Sequence, residues 1–340
     1  MGTQDHEAHK TGRRLGGAFG TGLLATLVGC APFNYVDRDS PVAQARIEPL
    51  ETRPKIALVL GSGGPRGYAH IGAMRVLEDA GIEYDLVVGS SVGALVGAFW
   101  SNGWDAERIS RIAQSGGPLT LFDLNPFADR GWIRGQKLQD YVNTQLGDAS
   151  IEDMPRRLVI VATRREDKAP VFFSKGNLGV AVRASSAMPS IISPVGIEGV
   201  EYEDADESLP VAVSAARQAG AEFVIAIDVS ARHGAAPAGT SASMQDRDLR
   251  RRQRIDPEIA GADFLIHPDL DYDAGPSRAY FRNAEACGEA TARALLPALL
   301  ARLEENRIDA KTSRSLPSSH SAIPRVPASD MRIEDACASE

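Results

Sequence analysis

Residues 86–98 constrain the fold more than any other stretch, because they join an apolar run to a run of small residues through a Gly-x-Ser-x-Gly motif. The first part predicts a short buried strand, and the part after Ser91 predicts a helix. A serine on such a sharp turn has strained backbone angles, and side chains two residues away on either side would collide with the neighbouring chain. Gly89 and Gly93 remove those side chains. The motif therefore predicts Ser91 as a nucleophile, with chance occurrence among 32 glycines as the alternative.

Strands and helices alternate on both sides of this turn. Residues 55–60 form a continuous apolar run that ends in glycines, which is typical of a strand buried on both faces of a parallel sheet. We predict further strands over residues 84–88, 158–163, 171–173, 223–229 and 262–267, and helices over residues 68–80, 91–102, 178–187, 210–219 and 276–304. This order predicts an α/β fold with right-handed crossovers.

The composition allows a large core. The chain has 340 residues, of which 43% are hydrophobic and 24% charged, enough for one big domain or two smaller ones. A formal net charge of −8 offers no basic patch, so we expect no nucleic-acid partner. We predict a linker over residues 30–52, one domain over residues 53–305 with a surface loop at 231–246, and a disordered tail over residues 306–340.

The N-terminus has the features of an export signal. Arg13 and Arg14 precede an apolar run over residues 15–28 that is too short to span a bilayer. The run ends in Leu-Val-Gly-Cys30, which resembles the lipobox of bacterial lipoproteins, where the signal is cut before a cysteine that is then lipidated. An ordinary secretory signal that contains a cysteine is the alternative. The resemblance implies a signal peptide over residues 1–29 and, because Ala31 rather than aspartate follows, an outer-membrane lipoprotein that faces the periplasm.

Such a protein is anchored to the membrane by acyl chains and does not span it. The two other cysteines are Cys287 and Cys337. An oxidising periplasm permits a disulfide between them, but the sequence does not determine the pairing.

A glycine-rich loop over residues 61–67 joins the first predicted strand to the first helix. Backbone amides in such a loop can converge on an anion. A nucleotide P-loop would end in Gly-Lys-Ser/Thr, whereas this loop ends in Arg66-Gly67-Tyr68, and a dinucleotide fingerprint would need glycine in place of Ser62. An oxyanion hole for acyl transfer fits best, because a nucleophile turn follows one strand–helix unit later.

A serine nucleophile needs a base, usually a histidine. Two histidines precede the apolar N-terminal run, and others lie in the predicted surface loop and tail: His6, His9, His233 and His320. His70 falls on the helix after the glycine loop, where we predict a structural role, and His267 ends a strand. No histidine follows an acid in the order expected of an α/β-hydrolase, so a carboxylate that acts directly is an alternative base.

Four blocks in order between residues 55 and 230 resemble the bacterial patatin-like phospholipases. They are residues 60–72 (LGSGGPRGYAHIG), 88–93 (VGSSVG), 182–189 (VRASSAMP) and 202–228, which begins YEDAD. The resemblance implies a patatin-like three-layer sandwich, with a central mostly parallel sheet and helices on both faces. It also implies a Ser-Asp dyad hydrolase without a catalytic histidine, a required metal or another cofactor.

Carried over by motif, Ser91 matches the nucleophile of this family. Gly63, Gly64 and Arg66 match its oxyanion loop, in which Pro65 has no N–H to donate.

The family's aspartate lies in Asp-Gly-Gly or Asp-Gly-Ala, whereas this chain reads Asp204-Ala205-Asp206. We predict Asp204 as the base, with Asp206 as the alternative. The missing glycine puts the local turn in question, because alanine resists positive φ.

Two other stretches lie close to these motifs. The block with Arg183, Ser185, Ser186 and Pro189 is predicted to be scaffolding, because a buried arginine and small hydroxyls usually satisfy backbone groups. Residues 116–135 carry apolar side chains without a clear period, so they form either a loop folded onto the core or an apolar flap suited to an acyl chain.

The resemblance implies an enzyme that hydrolyses carboxylic esters of phospholipids or other acyl lipids. One alternative is an acyltransferase or thioesterase with the same dyad. The other is an envelope lipoprotein that binds lipid without turnover.

Overall fold

The computed structural model describes residues 1–2, 34–36, 40–116, 121–126, 128, 130–308 and 337. Its strands are β1 (Asn34–Tyr35), β2 (Ala43–Gln44), β3 (Ile56–Leu60), β4 (Leu86–Ser90), β5 (Arg157–Arg164), β6 (Pro170–Phe173), β7 (Val195–Ile197), β8 (Val200–Glu203), β9 (Phe223–Ile227) and β10 (Phe264–Ile266). Its α-helices are α1 (Tyr68–Asp79), α2 (Val92–Ser101), α3 (Ala106–Ser115), α4 (Gln136–Leu146), α5 (Leu178–Ser185), α6 (Val213–Gln218), α7 (Ala242–Ile259) and α8 (Arg278–Glu305).

The strands form one mixed sheet. At its centre β5, β4, β3, β9 and β10 lie side by side and run parallel. β6 and β8 pair antiparallel with β5, and β7 continues antiparallel from β8. Because the central strands are parallel, their carboxyl ends meet along one edge, which is where ligands bind in open α/β sheets.

Helices cover both faces of the sheet. Alternate side chains of β3 pack to opposite sides, with Leu58 facing α1, α2 and α8 and Val59 facing α6 and α7. Every residue of β3 and β4 is buried, as expected for strands covered on both faces. The three-layer α/β architecture predicted from the sequence is confirmed.

The expected linker over residues 30–52 is wrong for the residues that the structure describes. β1 pairs parallel with β7, β2 pairs antiparallel with β6, and Ile47 is buried against the sheet. Strands of two residues are too short to show an alternating pattern in the sequence. The sheet therefore begins before residue 53, while the predicted signal peptide and Cys30 lie outside the described residues.

No helix is predicted from the sequence at the position of α7, and the predicted surface loop at 231–246 overlaps the first residues of this helix. The helix begins after Ser241, which caps it, and buries only Ile255 fully. A helix with so little apolar surface has no hydrophobic period to detect. Its charged side chains nevertheless contact the candidate site. No helix in the described part of the chain is long and apolar enough to cross a membrane.

A disulfide joins Cys287 on α8 to Cys337, which settles the pairing that the sequence left open. Cys287 is buried, and Cys337 packs against the same core. The other residues of the predicted tail beyond Ile308 lie outside the described part of the chain. The bridge therefore links the C-terminal segment to the longest helix.

We predict that Cys337→Ser lowers stability, because the bridge closes a loop with a sequence separation of 50 residues. Loops of this length give about 2–4 kcal/mol of stabilisation. Urea unfolding of oxidised protein with and without a reductant measures the effect, and Cys337→Ser should no longer respond to the reductant. A peptide map of non-reduced protein without the Cys287–Cys337 cross-link would contradict the pairing.

Candidate active site

Ser91 occupies the sharp turn between β4 and α2. Its φ of 54° and ψ of −119° lie outside the backbone regions that residues other than glycine prefer. A Cβ on Gly93 would lie 2.1 Å from the Leu60 carbonyl oxygen, and one on Gly89 would lie 2.6 Å from the Gly93 carbonyl oxygen. Both glycines are therefore required by close backbone approach, as the sequence motif predicts.

The structure brings Ser91 and Asp204 together. Ser91 Oγ donates a hydrogen bond of 2.9 Å to Asp204 Oδ2, and both side chains are buried. The Ser91 amide donates to Ser185 Oγ at 2.8 Å, so the first residue after the strand is held by α5. This contact assigns Ser185 a backbone-satisfying role, in agreement with the predicted scaffolding block.

Asp204 is held by backbone contacts on two sides. Its amide donates to the Ala187 carbonyl at 3.0 Å, and its own carbonyl accepts from Thr163 Oγ1 at 2.8 Å. Asp204 Oδ1 accepts from the Asp206 amide at 2.8 Å. The side chain therefore caps a 3₁₀ turn over Ala205–Glu207. Ala205 is not in the positive-φ region, so the turn does not need the glycine that the family motif carries.

Burial raises the pKa of Asp204 to about 7, and the nearby charge of Asp206 acts in the same direction. The hydrogen bonds from the Asp206 amide and from Ser91 oppose this rise, because they stabilise the ionised form. A carboxylate with a pKa near neutrality is a much stronger base than an ordinary aspartate. It can accept a proton and still be substantially ionised near pH 7.

Asp206 has a different environment. Its Oδ1 accepts from Arg251 Nε at 2.6 Å and from the Ser62 hydroxyl. Arg251 Nη2 also donates to the Ser62 carbonyl at 3.0 Å. Burial disfavours the charge of Asp206, but Arg251 and the Ser62 hydroxyl outweigh it and lower the pKa of Asp206. Asp206 is thus a partner in an ion pair that joins the glycine loop to α7.

The contacts of the glycine loop show which of its backbone amides could donate hydrogen bonds to an anion. The Arg66 amide donates to the Gly63 carbonyl at 3.2 Å, and the Arg66 guanidinium reaches the Asp271 carbonyl at 3.1 Å. Among the described residues, no acceptor is found for the amides of Gly63 and Gly64. Gly64 has a φ of +54°, and a Cβ there would meet no atom within 4 Å. These two amides are therefore without a hydrogen-bond acceptor in the described part of the chain.

The histidines that might have served as bases make other contacts. His70 is buried with Nε2 2.8 Å from the Gly61 carbonyl, and burial lowers its pKa to about 4. His267 Nε2 lies 3.0 Å from the Ser230 carbonyl and 3.8 Å from Asp228 Oδ2. Within the described part of the chain, no histidine hydrogen-bonds to Ser91. The structural role predicted for His70 agrees with its contact to the glycine loop.

The scaffolding block supports a second segment beside the site. Arg183 is fully buried, with Nη2 donating to the Arg134 carbonyl at 2.8 Å and Nη1 to the Tyr35 hydroxyl at 2.9 Å. These contacts attach the end of the 116–135 segment and β1 to α5. Sequence reasoning missed Arg251, Thr163 and the contacts of β1, because an isolated charge or hydroxyl carries no motif.

Residues 58–206 match the family model of patatin-like phospholipase. An uncharacterized NTE family protein of Mycobacterium bovis is 34% identical over 182 residues, covering 52% of this chain and 49% of that protein. Lysophospholipase nte1 of Aspergillus fumigatus is 30% identical over 179 residues, covering 51% of this chain and 12% of that protein. The crystal structure of VipD from Legionella pneumophila aligns with a TM-score of 0.48 at 12% identity, over 77% of this chain and 71% of that one.

The match to the family model includes both Ser91 and Asp204. Together with the NTE relatives, it supports the patatin-like phospholipase family for this region. The aligned region spans about half the length of the mycobacterial relative and a smaller share of the fungal one.

We predict that Asp204→Asn stabilises the protein and that the gain grows as pH rises. The pKa of Asp204 rises from 3.8 in the unfolded chain to about 7 on folding, so the folded state binds more protons between these values. Stability from this group is therefore present at low pH and is lost as pH rises toward about 7. Because asparagine does not ionise, the variant avoids this loss. Above pH 7 its free energy of unfolding should therefore exceed that of the wild type by about 1–4 kcal/mol.

Asp206→Asn is the matched control and should have the opposite sign. The folded-state pKa of Asp206 is lowered, so its stabilisation is present at neutral pH and is lost on acidification. Urea unfolding of both variants from pH 2.5 to pH 8 measures the difference, because the loss for Asp206 occurs below the ordinary pKa of 3.8. A loss of stability in Asp204→Asn at the alkaline end would contradict the raised pKa.

Proposed function

We propose that this chain is a serine hydrolase of carboxylic esters in lipids, with Ser91 as nucleophile, Asp204 as its base and a phospholipid as the substrate class. The observation that carries the proposal is the buried hydrogen bond of 2.9 Å between Ser91 Oγ and a carboxyl group whose pKa is raised to about 7. The family-model match and the name of the fungal relative, a lysophospholipase, support lipid as the substrate.

In the proposed first step, Ser91 Oγ attacks the ester carbonyl carbon while its proton passes to Asp204 Oδ2. The carbonyl oxygen becomes an oxyanion. When the tetrahedral intermediate collapses, the bond to the alcohol oxygen breaks and Asp204 returns the proton to that oxygen. Water then attacks the carbonyl carbon of the acyl-serine and gives one proton to Asp204. When this second intermediate collapses, the bond to Ser91 Oγ breaks, Asp204 returns the proton to Ser91 Oγ, and the carboxylic acid leaves.

The amides of Gly63 and Gly64 are proposed to stabilise the oxyanion. Each is without an acceptor among the described residues, and the space beside Gly64 is open. Donors that are already oriented stabilise developing charge without reorganising during the reaction. Arg66 supports this loop indirectly, because its amide closes the turn and its guanidinium is bound to the segment at Asp271.

The cellular location is a separate proposal. A signal peptide over residues 1–29 and a lipid anchor on Cys30 would place the domain at the periplasmic face of the outer membrane. The disulfide between Cys287 and Cys337 supports an oxidising compartment, where such bonds persist. Membrane lipid would then be both the anchoring surface and the source of substrate.

The test combines a probe and a product assay. A fluorophosphonate should label the wild type and spare Ser91→Ala, and mass spectrometry of mixed phospholipids should detect released fatty acid and lysolipid. Asp204→Asn should lower kcat by about 10²–10⁴-fold, because the general base is lost. Asp206→Asn should retain turnover well above that of Asp204→Asn, because the Asp206 carboxylate supports the glycine loop through an ion pair and does not contact Ser91 Oγ.

Four outcomes would count against the proposal. Unchanged labelling of Ser91→Ala would rule out Ser91 as the nucleophile. Loss of turnover in Asp206→Asn but not in Asp204→Asn would assign the role of base to Asp206. Transfer of the acyl group to an acceptor other than water would indicate an acyltransferase. Absence of both labelling and hydrolysis in the wild type would indicate a lipid-binding protein without turnover.

A further inference from the structure

Four large apolar side chains are exposed on neighbouring segments beside the candidate active site. Leu124, Trp132, Met188 and Ile191 are 69%, 66%, 42% and 44% exposed. We call these four side chains the apolar surface. Single exposed apolar residues are ordinary, but a contiguous group often marks an interaction site.

Backbone hydrogen bonds hold the three segments of the apolar surface together. The Asn125 amide donates to the Trp132 carbonyl at 2.8 Å, which places the backbone at Leu124 next to that at Trp132. The Trp132 amide donates to the Ile191 carbonyl at 2.9 Å, and the Ile191 amide donates to the Met188 carbonyl at 3.1 Å. The segments that carry the four exposed side chains are therefore adjacent to one another.

This surface adjoins the dyad. Met188 directly follows Ala187, whose carbonyl accepts the Asp204 amide at 3.0 Å. A cavity of about 630 Å³ is lined by Trp132 on one side and by Ala187 and Glu203 on the other. A group that rests on the apolar surface therefore lies next to the segment that positions the proposed base.

Cations form the outer rim of the same cavity. Arg130, Arg165 and Lys168 are exposed, whereas the carboxylate of Glu203 beneath them is buried. Arg165 and Arg130 share Glu201, with the Arg165 contact at 3.1 Å, and Lys168 pairs with Glu203. The three cationic side chains are more exposed than the carboxylates that they pair with. An apolar surface with a cationic rim complements the acyl region and phosphates of a phospholipid bilayer.

We propose that the apolar surface is the face with which the domain docks on a phospholipid bilayer. This inference rests on the proposed lipid-ester substrate, but it concerns binding and can be tested without turnover. Docking through these side chains would bring membrane lipid to the cavity lined by Ala187 and Glu203. The apolar surface and the dyad share the segment over residues 185–191, in which Ser185 contacts the Ser91 amide and Ala187 contacts the Asp204 amide.

Trp132 provides a specific probe. The chain has three tryptophans, and both Trp100 and Trp104 are buried in the core. Full-length protein that carries Ser91→Ala and Cys30→Ser is mixed with phosphatidylglycerol or phosphatidylcholine vesicles, some with brominated acyl chains. Neither hydrolysis nor a lipid anchor then contributes to binding, and quenching of Trp132 distinguishes docking through this surface from binding through the apolar run over residues 15–28. Docking predicts a blue shift of tryptophan emission, quenching by bromine, and tighter, salt-sensitive binding to phosphatidylglycerol.

Two variants test whether vesicle binding depends on the apolar surface or on any exposed apolar side chain. Leu124→Ser with Ile191→Ser should weaken vesicle binding about tenfold or more, because two apolar side chains lose their burial in lipid. Leu249→Ser is the matched control, since Leu249 is 50% exposed on α7. It should bind like the parent, and thermal unfolding should show that each variant folds.

Three results would overturn the proposal. Bound protein with unquenched Trp132 would show that another segment inserts, and an equal loss in Leu249→Ser would show that the effect is not local. A dimer in light scattering that Leu124→Ser with Ile191→Ser dissociates would assign the surface to a second copy of this chain. Docking without hydrolysis in the Ser91 enzyme would contradict only the proposed function.

Discussion

The hydrogen bond between Ser91 Oγ and Asp204 Oδ2 joins residues that are 113 positions apart, and much of the local structure serves to hold it. It depends on the strained turn after β4, which in turn depends on glycines that let Leu60 and Ala94 approach the turn. It also depends on the end of β8, where Thr163 and the Ala187 carbonyl hold the backbone of Asp204. The parallel sheet brings these segments to one edge.

The surroundings of the two aspartates in the Asp204-Ala205-Asp206 segment shift their pKa values in opposite directions. Asp204 is buried beside a like charge, which raises its pKa, whereas Asp206 is paired with Arg251, which lowers its pKa. When the surroundings push the pKa values of two titratable groups apart, the difference is a common basis for assigning one of the groups to acid–base chemistry. The same ion pair joins the glycine loop through Ser62, so the proposed base and the proposed oxyanion donors share one support.

The parts of this site that a sequence can predict are those with local rules. The Ser91 turn could be predicted because backbone crowding demands glycines at fixed spacing, and the α/β class followed from the order of apolar runs. Asp204 was reached only through the family resemblance. Arg251 could not be predicted, because its role depends on packing of the charged helix α7 against the glycine loop. The strands at residues 34–35 and 43–44 were also missed, since two residues carry no pattern.

The claim that Asp204 is the base of Ser91 is tested most directly by the pH dependence of Ser91 labelling. Because only the ionised carboxylate accepts the proton, the rate of fluorophosphonate labelling should be half-maximal near pH 7 in the wild type. Asp206→Asn should move this midpoint to lower pH, since it removes the like charge and leaves Arg251. Asp204→Asn should label slowly at every pH. A wild-type midpoint near the ordinary aspartate pKa of about 4, or an unchanged profile in Asp204→Asn, would contradict the claim.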